Sequence, residues 1–305
     1  MKTIQLGTSG LAVPAVAIGC MRINRLEQKT AATFIRTALE AGANFFDHAD
    51  IYGGGACESQ FAAAIDMNST IRESMILQSK CGIRKGEFDF SREHILASVD
   101  GSLKRLKTDY LDVLLLHRPD ALVEPEEVAE AFDRLHQSGK VRHFGVSNQK
   151  PMQIRLLQKY IHQPIVANQL QLSITNATMI SNGVHVNMLD DTAIDRDGSI
   201  LDFCRLEDIT IQPWSPFQYG YFEGVFLGNE QFPELNRVIN QLAETYAVQP
   251  ETIAIAWLLR HPANLQPVIG TMNVDRMLAC IQATDIRLTR TQWYDIYRAA
   301  GNTLP

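Results

Sequence analysis

This sequence predicts an α/β fold of the (β/α)8 TIM-barrel class with an N-terminal β-hairpin, and three observations carry that prediction. Short apolar runs alternate with longer amphipathic segments from Val16 onward, and the runs number eight. The first strand-to-helix turn, Gly19-Cys20-Met21-Arg22, lacks the GxGxxG that an open dinucleotide-binding sheet would place there. A chain of 305 residues accommodates one barrel, and no composition break or low-complexity stretch marks a linker, so a single domain over residues 1–305 is expected.

Taken in order, Lys2 to Pro14, turning around Gly7 and Gly10, reads as a hairpin ahead of the barrel and placed to plug its floor. Strands are expected at Val16–Gly19, Asn44–Asp47, Met75–Lys80, Val113–His117, His143–Ser147, Ile165–Gln169, Ile209–Trp214 and Pro267–Gly270. Between them Lys29–Glu40, Arg92–Leu106 and Glu127–His136 repeat apolar residues at spacings of three and four, as outer helices do. Ser91 stands as an N-cap, and Gly42 and Gly139 stand where helices would end. Two connections, 172–199 and 215–233, are too long for simple turns and are expected to shape specificity.

Charge and cysteine content narrow the function classes. A net charge of -6 with no basic run gives no footprint for nucleic acid or an anionic membrane. Five cysteines, widely spaced and without a CxxC pair, argue against a zinc site or a disulfide framework and fit a reducing cytoplasm. The N-terminus has no leader-like apolar segment, and no run is long enough to span a bilayer, so a cytoplasmic protein acting on a small molecule is expected.

In a barrel the carboxyl ends of the strands converge on one face. Asp47 ends the second strand, Tyr52 follows it, Lys80 ends the third and His117 ends the fourth, aiming four titratable groups at one mouth. Singly each has a plainer reading: a helix cap, a packing tyrosine, an ion-pair partner. Their convergence is the signal. Phe46-Asp47-His48-Ala49-Asp50-Ile51-Tyr52-Gly53, then Ser79-Lys80, then Asp109-Tyr110-Leu111-Asp112 with His117, resembles the signature of the aldo-keto reductases. The resemblance continues through Gly145-Val146-Ser147-Asn148, Asn168-Gln169, Trp214-Ser215-Pro216 and Ile269-Gly270-Thr271 to Arg276, covering nearly the whole chain in the family's order.

That resemblance implies an NADPH-dependent reduction of an aldehyde or ketone to an alcohol by hydride transfer. Hydride transfer creates an alkoxide that must be protonated as it forms. Tyr52 is expected to be the general acid, with Lys80 lowering its pKa from about 10 and Asp47 keeping Lys80 charged. His117 is expected to position the carbonyl oxygen or share in proton delivery. Arg118, on the opposite strand face if alternation holds, is expected in a scaffold salt bridge instead.

The resemblance also assigns the cofactor grip. Ser147, Asn148 and Gln169 match the residues that hold the nicotinamide carboxamide, since one amide satisfies another's donor and acceptor; Ser147 and Asn148 also read as helix caps. Trp214 matches the aromatic that stacks on the nicotinamide, with a core tryptophan as the alternative. Ser215 and the Phe217 backbone match the pyrophosphate segment, bordered by Gly19, Cys20 and Met21. At the adenosine end Gly270-Thr271 replaces the family's Lys-Ser pair, and Ala279-Cys280 replaces Glu-Asn. Arg276, on a helix that Asn273 would cap, is left as the chief ligand of a 2′-phosphate, with Asp275 opposing it. NADPH is therefore expected, and use of NADH stays open.

Two other function classes fit parts of this pattern. One is a nucleotide-sensing module like the family's ion-channel accessory subunits. The other is a metal-dependent barrel hydrolase using Asp47, His48 and His117. For the substrate wall, Met179, His185 and Met188 in the first long connection and Tyr219, Tyr221 and Phe222 in the second are candidates that either line the pocket or simply pack.

Overall fold

All eight apolar runs form strands in the computed structural model, which describes residues 1–304. They are β1 (Ala17–Gly19), β2 (Phe45–Asp47), β3 (Ile76–Cys81), β4 (Leu111–Leu116), β5 (Val141–Ser147), β6 (Ile165–Gln171), β7 (Thr210–Trp214) and β8 (Val268–Ile269). Each pairs in parallel with its sequence neighbour, and β8 returns to β1, closing the barrel. The β4 boundary differs from expectation in one consequential way. The strand stops at Leu116, so His117 and Arg118 both lie beyond the pleat and its alternation no longer dictates where they point.

The period-2 pattern divides the core. Ala17, Phe45, Val113, Leu115 and Val268 face inward and form a small interior cluster, while Ile18, Phe46, Leu77, Leu114 and Leu116 join the larger cluster beneath the helices. The hairpin, Thr3–Gln5 paired antiparallel with Ala12–Pro14, inserts fully buried Leu6 and Val13 into the interior cluster and so stops the barrel's floor. Only glycine permits that seat at position 7. Its N–H donates to Thr210 Oγ1 at 2.8 Å, and a Cβ there would fall 2.3 Å from the Val166 carbonyl oxygen.

The outer helices begin and end where their signals stand. The predicted segments form Gln28–Glu40, Arg92–Leu106 and Pro125–Gln137. Ser91 Oγ accepts the His94 N–H at 3.3 Å, and Gly42 and Gly139 take the left-handed backbone, with φ of 78° and 71°. Asp112 of the Asp-Tyr-Leu-Asp motif proves to be scaffold. Buried on β4, it accepts from Arg72 at 2.6 Å, from Leu77 N–H at 2.9 Å and from Arg142 at 3.1 Å, tying β3, β4 and β5 together.

The long connections carry structure of their own. Residues 172–199 contain the helix Thr178–Val184, and residues 215–233 contain a hairpin of Gln218–Tyr219 with Gly224–Val225. A third hairpin, Ile83–Arg84 with Glu87–Phe88, follows β3 and was not anticipated. No described helix is long and apolar enough to cross a membrane.

Candidate active site

Alternation along β3 turns both Gln78 and Lys80 into the barrel, and β2 delivers Asp47 to the same depth. Lys80 Nζ donates to Asp47 Oδ2 at 2.8 Å, to the His48 carbonyl at 2.7 Å and to Tyr52 Oη at 3.2 Å. These three acceptors match the ammonium's three donors. Burial alone would push Lys80 toward neutrality, but the charges and hydrogen bonds of Asp47 and Tyr52 outweigh it and hold its pKa above the ordinary lysine value. Lys80 is a buried cation.

Tyr52 departs from expectation. Burial raises its pKa, and although Lys80 pulls downward, Asp47 pushes up again, so the phenol lies above its ordinary value rather than below. Tyr52 therefore holds its proton at neutral pH. His117 meets the Tyr52 ring edge-on, with centroids 6.0 Å apart, and its Nδ1 is buried without a protein partner. Burial, then the Lys80 and Arg118 cations, drive its pKa well below the usual histidine range, so the ring is neutral.

Behind Asp47 lies a chain of buried amides that sequence reading missed. Asp47 Oδ1 accepts from Gln78 Nε2 at 2.6 Å and from Gln169 Nε2 at 3.2 Å. Gln78 and Gln212 form a reciprocal amide pair at 2.9 and 3.1 Å. Gln212 donates onward to Gln266 Oε1 at 2.9 Å, and Gln266 donates to the Pro14 carbonyl at 2.7 Å. A polar line thus runs through the barrel interior from the catalytic mouth to the hairpin at the floor.

A cleft of about 920 Å³ opens above these residues. Asp47, Tyr52 and His117 line it, as do Gly19, Met21, Ser147, Asn148, Gln169, Trp214, Ser215, Phe217, Gly270, Thr271 and Arg276. Ser147 and Asn148 are not helix caps, because the next helix is capped at Lys150. Ser147 Oγ donates to the Gln169 carbonyl at 3.1 Å and accepts from Asn148 Nδ2 at 2.7 Å, while Trp214 Nε1 donates to Asn148 Oδ1 at 3.1 Å. Gln169 has its amide donors on Asp47 and Gln212, which leaves Oε1 as its free acceptor. Trp214 is a wall residue, with Phe222 stacked on it at 5.8 Å and Tyr221 edge-on at 6.3 Å. At the far end Asn273 Oδ1 caps its helix through Arg276 N–H at 2.8 Å, and Arg276 Nε reaches Glu251 Oε1 at 3.1 Å.

Several candidates lie elsewhere. Cys20 is fully buried and does not line the cleft; its thiol turns back to the Ile18 carbonyl at 3.7 Å. His48 is buried with neither ring nitrogen partnered, edge-on to Phe61 at 4.7 Å, and burial lowers its pKa to about 3. It does not share the cleft with Asp47 and His117, which removes the geometry the hydrolase reading needs. Met179, His185 and Met188 also lie away from the cleft, with His185 between Asp190 Oδ2 at 3.1 Å and the Thr303 carbonyl at 2.9 Å. Tyr221 and Phe222 do line it, and so does Tyr219's neighbour Gln218. Arg118 needs the clearest correction. It makes no salt bridge among the described residues, lines the cleft, and rests its guanidinium 5.7 Å from the Trp214 ring centre. Arg22, Arg25 and Glu251 also line the cleft, and none of them stands in a recognisable local motif.

Comparison with known proteins identifies the family of the chain. A sequence model of the Aldo/keto reductase family matches residues 4–300. The chain is 37% identical to the uncharacterized oxidoreductase YcsN of Bacillus subtilis, covering all of both chains. It is 37% identical to the oxidoreductase YdhF of Escherichia coli over 88% of this chain and 86% of that one. A 6-dehydroglucose reductase of Agrobacterium fabrum is 32% identical over 87% of this chain and 86% of its own. Among solved structures, a thermostable aldo-keto reductase in complex with the inhibitor epalrestat aligns with a TM-score of 0.79 at 25% identity, covering 98% of this chain and all of that one.

Proposed function

The chain belongs to the aldo/keto reductase family, and on that premise we propose that it is an NADPH-dependent reductase of an aldehyde or ketone with Tyr52 as its general acid. The observation that carries the reading is the buried Asp47–Lys80–Tyr52 array opening onto a cleft beside a neutral His117.

The donor set fits a nicotinamide dinucleotide. Hydroxyl and amide groups of Ser147, Asn148 and Gln169 suit a carboxamide, the Trp214 face suits a flat ring, and Arg276 at a capped helix start suits a phosphate. When bound, the reduced nicotinamide supplies the hydride. Gln169, with Oε1 free, is placed to accept a carboxamide N–H. Tyr52 holds a proton at neutral pH and releases it as the carbonyl oxygen gains charge; Lys80, 3.2 Å away, stabilises the phenolate that results. His117, being neutral, orients the oxygen by hydrogen bonding rather than supplying the proton. Asp47, gripped by Gln78 and Gln169, fixes the direction of Lys80.

NADPH absorbance followed against a panel of aldehydes and ketones tests the reading. Tyr52→Phe is expected to cut turnover by about 10²–10⁴-fold while cofactor affinity, read from tryptophan fluorescence, stays near that of the parent. Undiminished turnover in Tyr52→Phe would remove Tyr52 as the acid. Tight cofactor binding without oxidation by any carbonyl would favour a sensing role.

A further inference from the structure

Four arginines line the cleft: Arg22, Arg25, Arg118 and Arg276. Three belong to one side. Arg22 donates to the Gly270 carbonyl at 3.1 Å, Arg25 closes the same short turn, Ile23–Arg25, and Arg276 follows β8. That side, over β8 and β1, carries the residues suited to the phosphates of a dinucleotide. Arg118 follows β4, which stands four strands from β8 in either direction around the barrel. It comes directly after His117, and its guanidinium lies over Trp214.

Arg118 is partly buried, yet among the described residues its side chain makes neither a hydrogen bond nor an ion pair. No carboxylate of the cleft is available to it. Asp47 is bound by Lys80, Gln78 and Gln169, and Glu251 is bound by Arg276 at the other end. The nearest acid in sequence, Asp120, accepts the backbone N–H groups of Phe90 and Leu122. A partly buried cation with its donors free is one that an incoming anion can satisfy, and the planar fork of arginine matches a carboxylate in two parallel hydrogen bonds. The cleft lining also includes apolar side chains, Ile51, Ile83 and Tyr221 among them, which suit the carbon skeleton of a small compound.

We propose that Arg118 is a specificity-determining residue that selects carbonyl compounds bearing a carboxylate, so that the preferred substrates are short oxo acids and the products hydroxy acids. This rests on the reductase reading and names its substrate class. The carboxylate takes no part in the chemistry. The carbonyl carbon gains a hydride and its oxygen gains a proton, and both electrons come from the reduced dinucleotide, which is oxidised.

The test compares a four-carbon aldehyde acid with its neutral methyl ester under NADPH. The parent enzyme is expected to favour the acid by about 10–100-fold in kcat/KM, the discrimination available to a charged hydrogen-bonded pair. Arg118→Met should bring that ratio toward one, chiefly through KM. Arg118→Lys, which keeps the charge and loses the fork, should retain part of it. Cofactor dissociation constants should move little in either variant. Equal use of acid and ester by the parent, an unchanged ratio in Arg118→Met, or a cofactor affinity that collapses with Arg118 would each overturn the assignment while leaving the reductase reading intact. Failure to oxidise NADPH with any carbonyl compound would remove both.

Discussion

Asp50 carries a charge that the fold serves poorly. Its Oδ1 is buried without a partner, and burial, with the nearby Glu58 adding, raises its pKa to about 6. Glu58 is itself fully buried but is answered by Arg105 at 2.7 Å and by Ser79 at 2.7 Å. Because Asp50 binds its proton more tightly folded than unfolded, its ionisation destabilises the fold above pH 6. The penalty fades as pH falls toward the ordinary carboxylate value near 4. Asp50→Asn removes that penalty. With about 1.4 kcal/mol per pKa unit, reduced for the solvent that still reaches the group, the variant should gain on the order of 1–2 kcal/mol at pH 7. Urea denaturation at pH 7 and at pH 4 measures this. A gain that persists undiminished at pH 4 would show that ionisation is not its cause.

At the scale of elements, the barrel interior couples the mouth to the floor through Gln78, Gln212 and Gln266, which end on the Pro14 carbonyl of the hairpin. Removing one amide leaves its neighbours buried and unsatisfied, at about 1–3 kcal/mol for each group. Gln212→Met should therefore cost roughly 2–6 kcal/mol of stability, counting losses at both Gln78 and Gln266. It should also lower kcat, because Gln78 is one of the two amides that fix Asp47. Full stability with a reduced kcat, or the converse, would separate the two roles assigned to the chain. The eight strands and the outer helices were legible because periodicity and caps are local properties of the sequence. The amide chain was not, because Gln78 and Gln212 lie 134 positions apart and each reads alone as a polar interruption of a strand. Arg118 was misplaced for a different reason. One residue of strand length, the difference between ending at Leu116 and at His117, decides whether alternation governs its direction. The convergence of Asp47, Tyr52, Lys80 and His117 survived such boundary errors because the barrel brings strand ends together even when their limits are off by a residue.

For the whole molecule, charge is distributed against its sum. The chain carries a formal net charge of -6, yet its cleft is lined by Arg22, Arg25, Arg118 and Arg276 against two carboxylates, both already paired. A cleft with an excess of positive charge focuses potential and draws an anionic ligand against the net charge of the protein. The 2′-phosphate that separates NADPH from NADH would meet this field at Arg276, where Glu251 already sits 3.1 Å from the guanidinium nitrogen. A phosphate must then compete with a carboxylate for one arginine, so selectivity for NADPH is expected to be limited by Glu251 as well as conferred by Arg276. Arg276→Ala should weaken NADPH by about tenfold or more and NADH little, since a charge-assisted hydrogen bond is worth roughly 1.5–3 kcal/mol. Glu251→Gln should shift selectivity the other way, tightening NADPH relative to NADH. Raising ionic strength should weaken NADPH more than NADH in the parent, because screening acts on the additional charge, and the gap should close in Arg276→Ala. Equal losses of both dinucleotides in Arg276→Ala would place the 2′-phosphate elsewhere in the cleft. The three other lining arginines would then have to be tested in turn.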